Sequence, residues 1–177
     1  MSLHEVEIGV KRAMAAFQRR PDAAAHANPP AVSRWQSGTR VVTHSGQDLS
    51  VATDMPKELG GTGDQFTPGS LFRAGLASCA ATSITLAAAT EGIKLTALEV
   101  HVGSRSDARG LLGMSEPNGE PVYAGLFDVE MQVNIAAHGS NSLALESLVT
   151  RCLSHSPVPC TLTTATPFGL HVHVTSV

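Results

Sequence analysis

The sequence predicts an α+β fold, and three patterns support this class. A long segment after a glycine-rich loop is apolar on nearly every side, as a buried helix would be. Two later segments alternate apolar and polar residues, which is the pattern of half-buried strands. Three short strand-like runs lie before the apolar helix. The order of strands, helix, strands, helix and a last strand is typical of an α+β domain.

Composition limits the function classes. The chain has 177 residues and a formal net charge of −3, with lysines and arginines scattered, so nucleic acid is not an expected partner. Three cysteines, an odd number, do not suggest a secreted disulfide framework. The charged N-terminus does not resemble a secretory signal. We therefore expect a cytoplasmic protein.

The N-terminal region predicts a helix and a linker. Apolar residues at helical spacing indicate an amphipathic helix from Leu3 to Gln18: Val6, Val10, Ala13, Met14 and Phe17. It ends before the segment RRPDAAAHANPP, where prolines interrupt regular structure. We divide the chain into an N-terminal helical arm and linker, residues 1–30, and a main domain, residues 31–177.

Next, AVSRWQSGTRVVTHSGQDLSVATDMP predicts a β-meander with turns at Gly38 and Ser45-Gly46. After the loop KELGGTGDQFTPGS, a helix runs from Pro68 to about Glu91, with Thr67 as its N-cap and Gly92 as a left-handed C-terminal residue. Its uncharged part, residues 74–90, falls short of a membrane span, so no membrane is expected. A chain this small cannot cover such a helix alone, so we expect a partner subunit.

Downstream, residues around 98–102 and 129–135 predict two strands joined by a long loop whose Leu111, Leu112 and Met114 must pack somewhere. A second helix spans about residues 140–154, and HSPVPC interrupts it. The alternation of Leu170, Val172 and Val174 with two histidines predicts a final strand.

From about Val32 to Val177 the chain resembles the OsmC/Ohr family of thiol peroxidases. The resemblance rests on ELGG, then TPGSLFRAGLASCAATSI, then a β-hairpin and a helix ending in HSPV. It implies an OsmC-like fold, with antiparallel sheets and long buried central helices in a swapped homodimer. It also implies that a cysteine in the central helix reduces organic hydroperoxides as part of an antioxidant stress response.

Carried over residue by residue, the resemblance places the peroxidatic cysteine at Cys79. The family's second cysteine, which closes a disulfide, falls on Ser156, and its activating glutamate falls on Gly69. The activating arginine matches Arg40 or Arg34, and Arg40 is preferred. One family feature is thus present, one is uncertain, and two are substituted.

The cysteines also have plainer interpretations. Free cysteine behaves as a small buried hydrophobe, so Cys79 on residue type alone is packing, whereas peroxide attack needs a thiolate near positive charge. Cys160 lies four residues after Ser156 and would replace the missing thiol if a helix continued there, but Pro157 and Pro159 suggest irregular backbone. Cys152 is assigned to the core.

Metal and carboxylate sites are not expected. Cys152, His155, Cys160, His171 and His173 fit no regular zinc spacing, so no metal and no cofactor are predicted. The acidic residues form no obvious catalytic pair and are expected to be solvated: Asp48, Asp54, Asp107, Asp128 and Glu130.

Two functions of different class follow. In the first, Cys79 reduces a small apolar organic hydroperoxide to its alcohol, and the oxidised cysteine is resolved by Cys160 or by an external thiol reductant. In the second, the OsmC-like dimer binds a small apolar ligand without turnover, which the loss of the glutamate and second cysteine favours.

Overall fold

The computed structural model describes residues 2–46 and 48–175. Two 3₁₀ turns, Pro21–Ala23 and Lys57–Leu59, join the regular elements. In chain order those elements are α1 (Leu3–Arg19), β1 (Ala31–Ser37), β2 (Arg40–Ser45), β3 (Leu49–Thr53), α2 (Pro68–Thr90), β4 (Lys94–Arg105), α3 (Ala108–Leu111), β5 (Phe127–His138), α4 (Ser142–Leu153) and α5 (Pro157–Thr163).

Two antiparallel sheets confirm the α+β class. β1, β2 and β3 form one sheet in chain order, which confirms the predicted meander. Gly38 and Gly46 take positive φ angles of 54° and 62° between its strands, where glycine is the least strained residue. β4 and β5 form the second sheet, longer at both ends than the alternation predicted.

α2 begins and ends at the residues that the sequence indicated. The Thr67 hydroxyl accepts a hydrogen bond from the Ser70 amide at 3.1 Å, and Pro68 occupies the first turn, where no amide proton is needed. At the other end Gly92 has a φ of 70°. The Ile93 amide donates to the Ala88 carbonyl at 2.8 Å, which completes a Schellman motif.

The core lies between α2, α4 and the β4–β5 sheet. Ile84 and Ala88 of α2 are fully buried, and Leu148 and Cys152 of α4 pack against them. The inward residues of the sheet, including Val133 and Ile135, close the cluster from the other side. Burial of Cys152 in this cluster confirms its assignment to the core.

The opposite side of α2 is not covered within one chain. α1 packs against part of α2, but Phe72 and Leu86 each remain 40% exposed. By length and composition alone, the whole helix from Pro68 is long and apolar enough to cross a membrane, contrary to the expectation from residues 74–90. The core helix of a soluble protein meets the same criterion, and the inner side of α2 packs against protein.

A buried carboxylate fixes the loop before α2. Asp54 is 3% exposed and accepts hydrogen bonds from the Thr39 hydroxyl at 2.5 Å, the Thr62 hydroxyl at 2.7 Å and the Met55 amide at 2.8 Å. These bonds hold the pKa of Asp54 far below its usual range, and the bonds from Thr39 and Thr62 have the largest effect. The expectation that Asp54 is solvated is therefore wrong, because neighbouring hydroxyls and amides replace its water.

Three other expectations are also wrong. The described part of the C-terminal tail, residues 164–175, contains no strand, and its apolar side chains, such as Val174 at 88%, are exposed because neither sheet pairs with it. Leu111, Leu112 and Met114 are exposed rather than packed. The backbone at Pro157 and Pro159 is helical, since both prolines lie in the first turn of α5.

The close approach of Gly61 to the Asp54 loop makes that residue a sensitive position. A Cβ at residue 61 would lie 1.8 Å from the Met55 carbonyl oxygen and 2.9 Å from Asp54 Oδ1. We expect Gly61→Ala to lower the free energy of unfolding by about 3 kcal/mol, because overpacking moves the backbone. Gly9→Ala in α1, where a Cβ meets nothing within 4 Å, is the control and should be neutral or slightly stabilising. Urea denaturation measures both, and equal stability of the two variants would contradict the prediction.

Candidate functional site

The candidate site is centred on the half-buried thiol of Cys79, in the middle of α2. Cys79 is two helical turns after Phe72 and one turn before Ser83, so the three side chains lie on one side of the helix. This side borders the inner face that packs in the core. Cys79 is thus neither a core residue nor a freely exposed one.

Two hydroxyl groups extend from the thiol in a hydroxyl relay, a name used here for the chain Ser83–Ser156–Cys79. Ser83 Oγ donates a hydrogen bond to Ser156 Oγ at 3.0 Å. Ser156 Oγ lies 3.2 Å from Cys79 Sγ, and either atom can donate. Because Ser156 already accepts from Ser83, its own proton is available to the sulfur. A thiolate or sulfenate at Cys79 can only accept a hydrogen bond, and the Ser156 hydroxyl can donate it.

Ser156 is committed to this contact by its surroundings. It is fully buried, at 0% exposure, just before the first turn of α5. Although Ser156 holds the N-cap position, its side chain makes no capping hydrogen bond. Its carbonyl accepts the Cys160 amide at 2.9 Å, which fixes the residue from the backbone. The structure therefore brings together Cys79 and Ser156, two of the four predicted site residues.

Arg40 lies elsewhere in the single chain. Its guanidinium donates to the Thr62 hydroxyl at 2.8 Å and pairs with Asp64 and Asp54. The bond to Asp64 is the main cause of a raised pKa of Arg40. The alternative, Arg34, is exposed on β1. Within the described residues, no hydrogen bond joins either arginine to Cys79.

Cys160 is also directed away from Cys79. Its thiol donates to the backbone carbonyl of Ser154 at 3.3 Å and lies 3.8 Å from that of Leu153. All three cysteines are free. Among the described residues, the Cys160 thiol makes no hydrogen bond to Cys79, Ser83 or Ser156.

The third cysteine, Cys152, is a poor nucleophile. It is 7% exposed, and burial is the main cause of its raised pKa, with the nearby Glu91 carboxylate adding to the effect. Among the described residues, no group of three or more metal-ligating side chains comes together. His171 and His173 are exposed in the tail.

An apolar cleft of about 400 Å³ lies near the N-terminal part of α2. Pro68, Leu71 and Phe72 form its helical wall, and the β1–β3 sheet supplies the other wall through Val41 and three hydroxyl residues. Cys79 lies two helical turns after Phe72 on the same side of α2 and is not among the residues that line this cleft.

Sequence reasoning named Ser156 but missed Ser83. The one signal for Ser83 is its spacing of four residues from Cys79, which places it one helical turn away. That spacing has no meaning until α5 brings Ser156 against α2. The Asp54 cluster was missed for a similar reason, because its partners Thr39 and Thr62 lie in two different loops.

Comparison with known proteins gives a consistent family. A family model described as OsmC-like protein matches residues 61–171. The fold is similar to an OsmC-like protein from Mycoplasma pneumoniae, with a TM-score of 0.65, 17% identity, and coverage of 80% of this chain and 91% of that one. No curated protein matches the sequence.

Two further similar structures are organic hydroperoxide resistance proteins. The one from Elizabethkingia anophelis gives a TM-score of 0.57 at 22% identity, covering 80% of this chain and 91% of that one. The one from Legionella pneumophila gives 0.54 at 23% identity, covering 78% and 90%. At these identities the similarity establishes the fold.

The three thiols should differ in reactivity. We expect iodoacetamide to alkylate Cys79 faster than Cys152, because Cys79 is half-buried beside a hydroxyl donor whereas Cys152 is buried with a raised pKa. Ser156→Ala should slow alkylation of Cys79 by about tenfold, the usual effect of losing a hydrogen bond to a charged group. Ser154→Ala, an exposed neighbour, is the control. Peptide mass spectrometry over time measures the rates; equal rates at all three cysteines would contradict the prediction.

Proposed function

The chain belongs to the OsmC-like protein family, and on that premise we propose that it is a thiol-dependent peroxidase that reduces organic hydroperoxides through Cys79. Family membership and the hydroperoxide resistance proteins among its structural relatives support a peroxidase-like role in stress resistance. We place the protein in the cytoplasm, where a reducing environment suits its three free cysteines.

The observation that carries this proposal is the hydroxyl relay. A half-buried cysteine that served only packing would not need a hydroxyl at its sulfur that is itself held by a second hydroxyl. Ser156 lies at the position where the resemblance implies the second cysteine, so this chain keeps the contact but changes the reacting atom to oxygen. The site can therefore support a thiolate, while it cannot form the usual disulfide.

The proposed reduction of a hydroperoxide has three steps. The Cys79 thiolate attacks the terminal oxygen of the hydroperoxide, the O–O bond breaks, and protonation of the leaving oxygen gives an alcohol and a cysteine sulfenic acid. An external thiol then attacks the sulfenic sulfur and releases water, which leaves a mixed disulfide. A second external thiol attacks this mixed disulfide, which restores Cys79 and leaves a disulfide between the two external thiols.

The apolar cleft beside Phe72 supports an apolar substrate. Its walls are largely hydrocarbon, and Phe72 in its helical wall lies two turns from Cys79 on the same side of α2. An alkyl or aromatic hydroperoxide would bury its organic part there, while hydrogen peroxide would gain nothing from such walls.

A second candidate function rests on the substitutions. With glycine at residue 69 and serine at residue 156, the chain lacks two groups that the resemblance associates with turnover. The same cleft would then bind a small apolar ligand without reaction. Turnover of a hydroperoxide separates the two candidates, because a binding protein would leave Cys79 unoxidised.

Turnover with cumene hydroperoxide and dithiothreitol tests the peroxidase. We expect activity in the unmodified protein, a dimedone adduct on Cys79 after peroxide alone, and no activity in Cys79→Ser. Cys160→Ser should turn over at an unchanged rate, because the Cys160 thiol is bonded to backbone carbonyls rather than to the relay.

The complementary variant is Ser156→Cys, which should form an internal disulfide with Cys79 after oxidation, given the present 3.2 Å contact. A Cys79–Cys160 disulfide in non-reducing peptide maps would contradict one-cysteine turnover. Absence of both activity and the dimedone adduct would favour the binding protein.

We further propose that the active form is a swapped homodimer. Phe72 and Leu86 on α2, the side chains around Leu111, and the alternating tail from Leu170 to Val174 are exposed apolar surfaces of one chain. A second copy offers a helix for the first surface and a sheet edge for the tail, so one assembly would cover several of them.

Substitution on the outer side of α2 tests the assembly. Thr82 is exposed in the single chain, one helical turn before Leu86, so Thr82→Glu would be harmless in a monomer but would bury a charge in a dimer interface. We expect the unmodified protein to sediment as a dimer at micromolar concentration and Thr82→Glu to dissociate or aggregate. Thr150→Glu, the same exchange at an exposed position of α4, is the control and should stay dimeric. A folded monomer of the unmodified chain in analytical ultracentrifugation would overturn the proposal.

A further inference from the structure

Two of the arginines in the chain are half-buried, and they differ in their partners. Arg40 pairs with the carboxylates of Asp54 and Asp64. Arg73, in the second turn of α2, donates one side-chain hydrogen bond among the described residues. Its acceptor is the neutral hydroxyl of Ser104, at 3.3 Å. Among the described residues, no carboxylate lies within ion-pair distance of Arg73. A guanidinium has five N–H donors and is costly to bury without a counter-charge, so this group is under-partnered.

The space around Arg73 is open because residue 69 is a glycine. A Cβ added there would meet Arg73 Nη1 at 3.7 Å, an ordinary contact, and nothing else within 4 Å. The resemblance implies a glutamate at this position, one helical turn before Arg73. This chain therefore carries a positive charge beside the position where its family would carry a negative one.

Arg73 also lines a cleft of about 610 Å³ that is separate from the cleft beside Phe72. Phe66, 54% exposed, supplies an apolar wall, and its backbone is held in place because its carbonyl accepts the Asp54 amide at 3.0 Å. Asp64 borders the cleft as well, but its carboxylate accepts a hydrogen bond from Thr62 and pairs with Arg40, which also pairs with Asp54.

We propose that this cleft binds an organic carboxylate, with Arg73 as its counter-charge and Phe66 against its apolar part. A carboxylate matches the planar fork of a guanidinium and would supply the missing partner. The cleft volume suits a small organic acid. This site does not depend on the chemistry of Cys79.

Calorimetry tests the proposal without any peroxide. It compares the binding of octanoate with the binding of octanol to the purified protein. We expect octanoate to bind more tightly than octanol, and Arg73→Gln to weaken octanoate by about tenfold or more. Arg73→Lys should retain part of the affinity. Arg12→Gln, which removes the same charge from the exposed face of α1, is the control and should have no effect.

Gly69→Glu provides a second test of the proposed carboxylate site. The new carboxylate would lie one turn before Arg73, form the ion pair internally, and abolish the preference for octanoate over octanol. Equal affinity of the unmodified protein for both probes, or unchanged octanoate affinity in Arg73→Gln, would overturn the proposal. Either result would leave the peroxidase proposal intact, because that is judged by turnover at Cys79.

Discussion

The structure depends on one constraint, which is that α2 is apolar on nearly every side. Its inner side, through Ile84 and Ala88, nucleates the core against α4 and the β4–β5 sheet. Its sharp start at Thr67–Pro68 and its Schellman end at Gly92 fix which residues meet that core. The side that carries Cys79 lies at the edge of the packed surface, and the reactive group is therefore positioned by hydrophobic packing rather than by a dedicated loop.

The packing of α5 against α2 explains why hydroxyl groups surround the Cys79 thiol. α5 starts with Pro157, at a position of the first turn where an amide proton is not needed. Ser156, just before it, is fully buried where α5 packs against α2. A buried hydroxyl must find hydrogen-bond partners, and Ser83 and Cys79 are the groups that α2 offers. Arg40 is unavailable within one chain because Asp54 and Asp64 hold it in the loop before α2.

Much of the fold was predictable because its signals are local. Turn glycines such as Gly38, the cap at Thr67 and the alternation along β5 each involve neighbours in sequence, and the structure confirms them. The errors concern partners distant in sequence. Burial of Asp54 depends on hydroxyls from two loops, and the relay depends on α5 meeting α2. The predicted tail strand from Leu170 has the right alternation, but a strand also needs a partner strand, and within one chain the described tail pairs with neither sheet.

In the proposed dimer, assembly and reactivity would be linked. A neutral hydroxyl stabilises a thiolate less than a cation does, because it supplies one dipole rather than a full charge. Within one chain, Cys79 has only such a dipole, and the exposed side of α2 next to it is the surface that a second copy would cover. A partner that covered this side would remove water from the thiol, which strengthens the hydrogen bond from the relay but costs a thiolate its hydration. In the proposed dimer, the nucleophilicity of Cys79 would be a property of the assembled protein, and the relay is the part of the site that a single chain already contains.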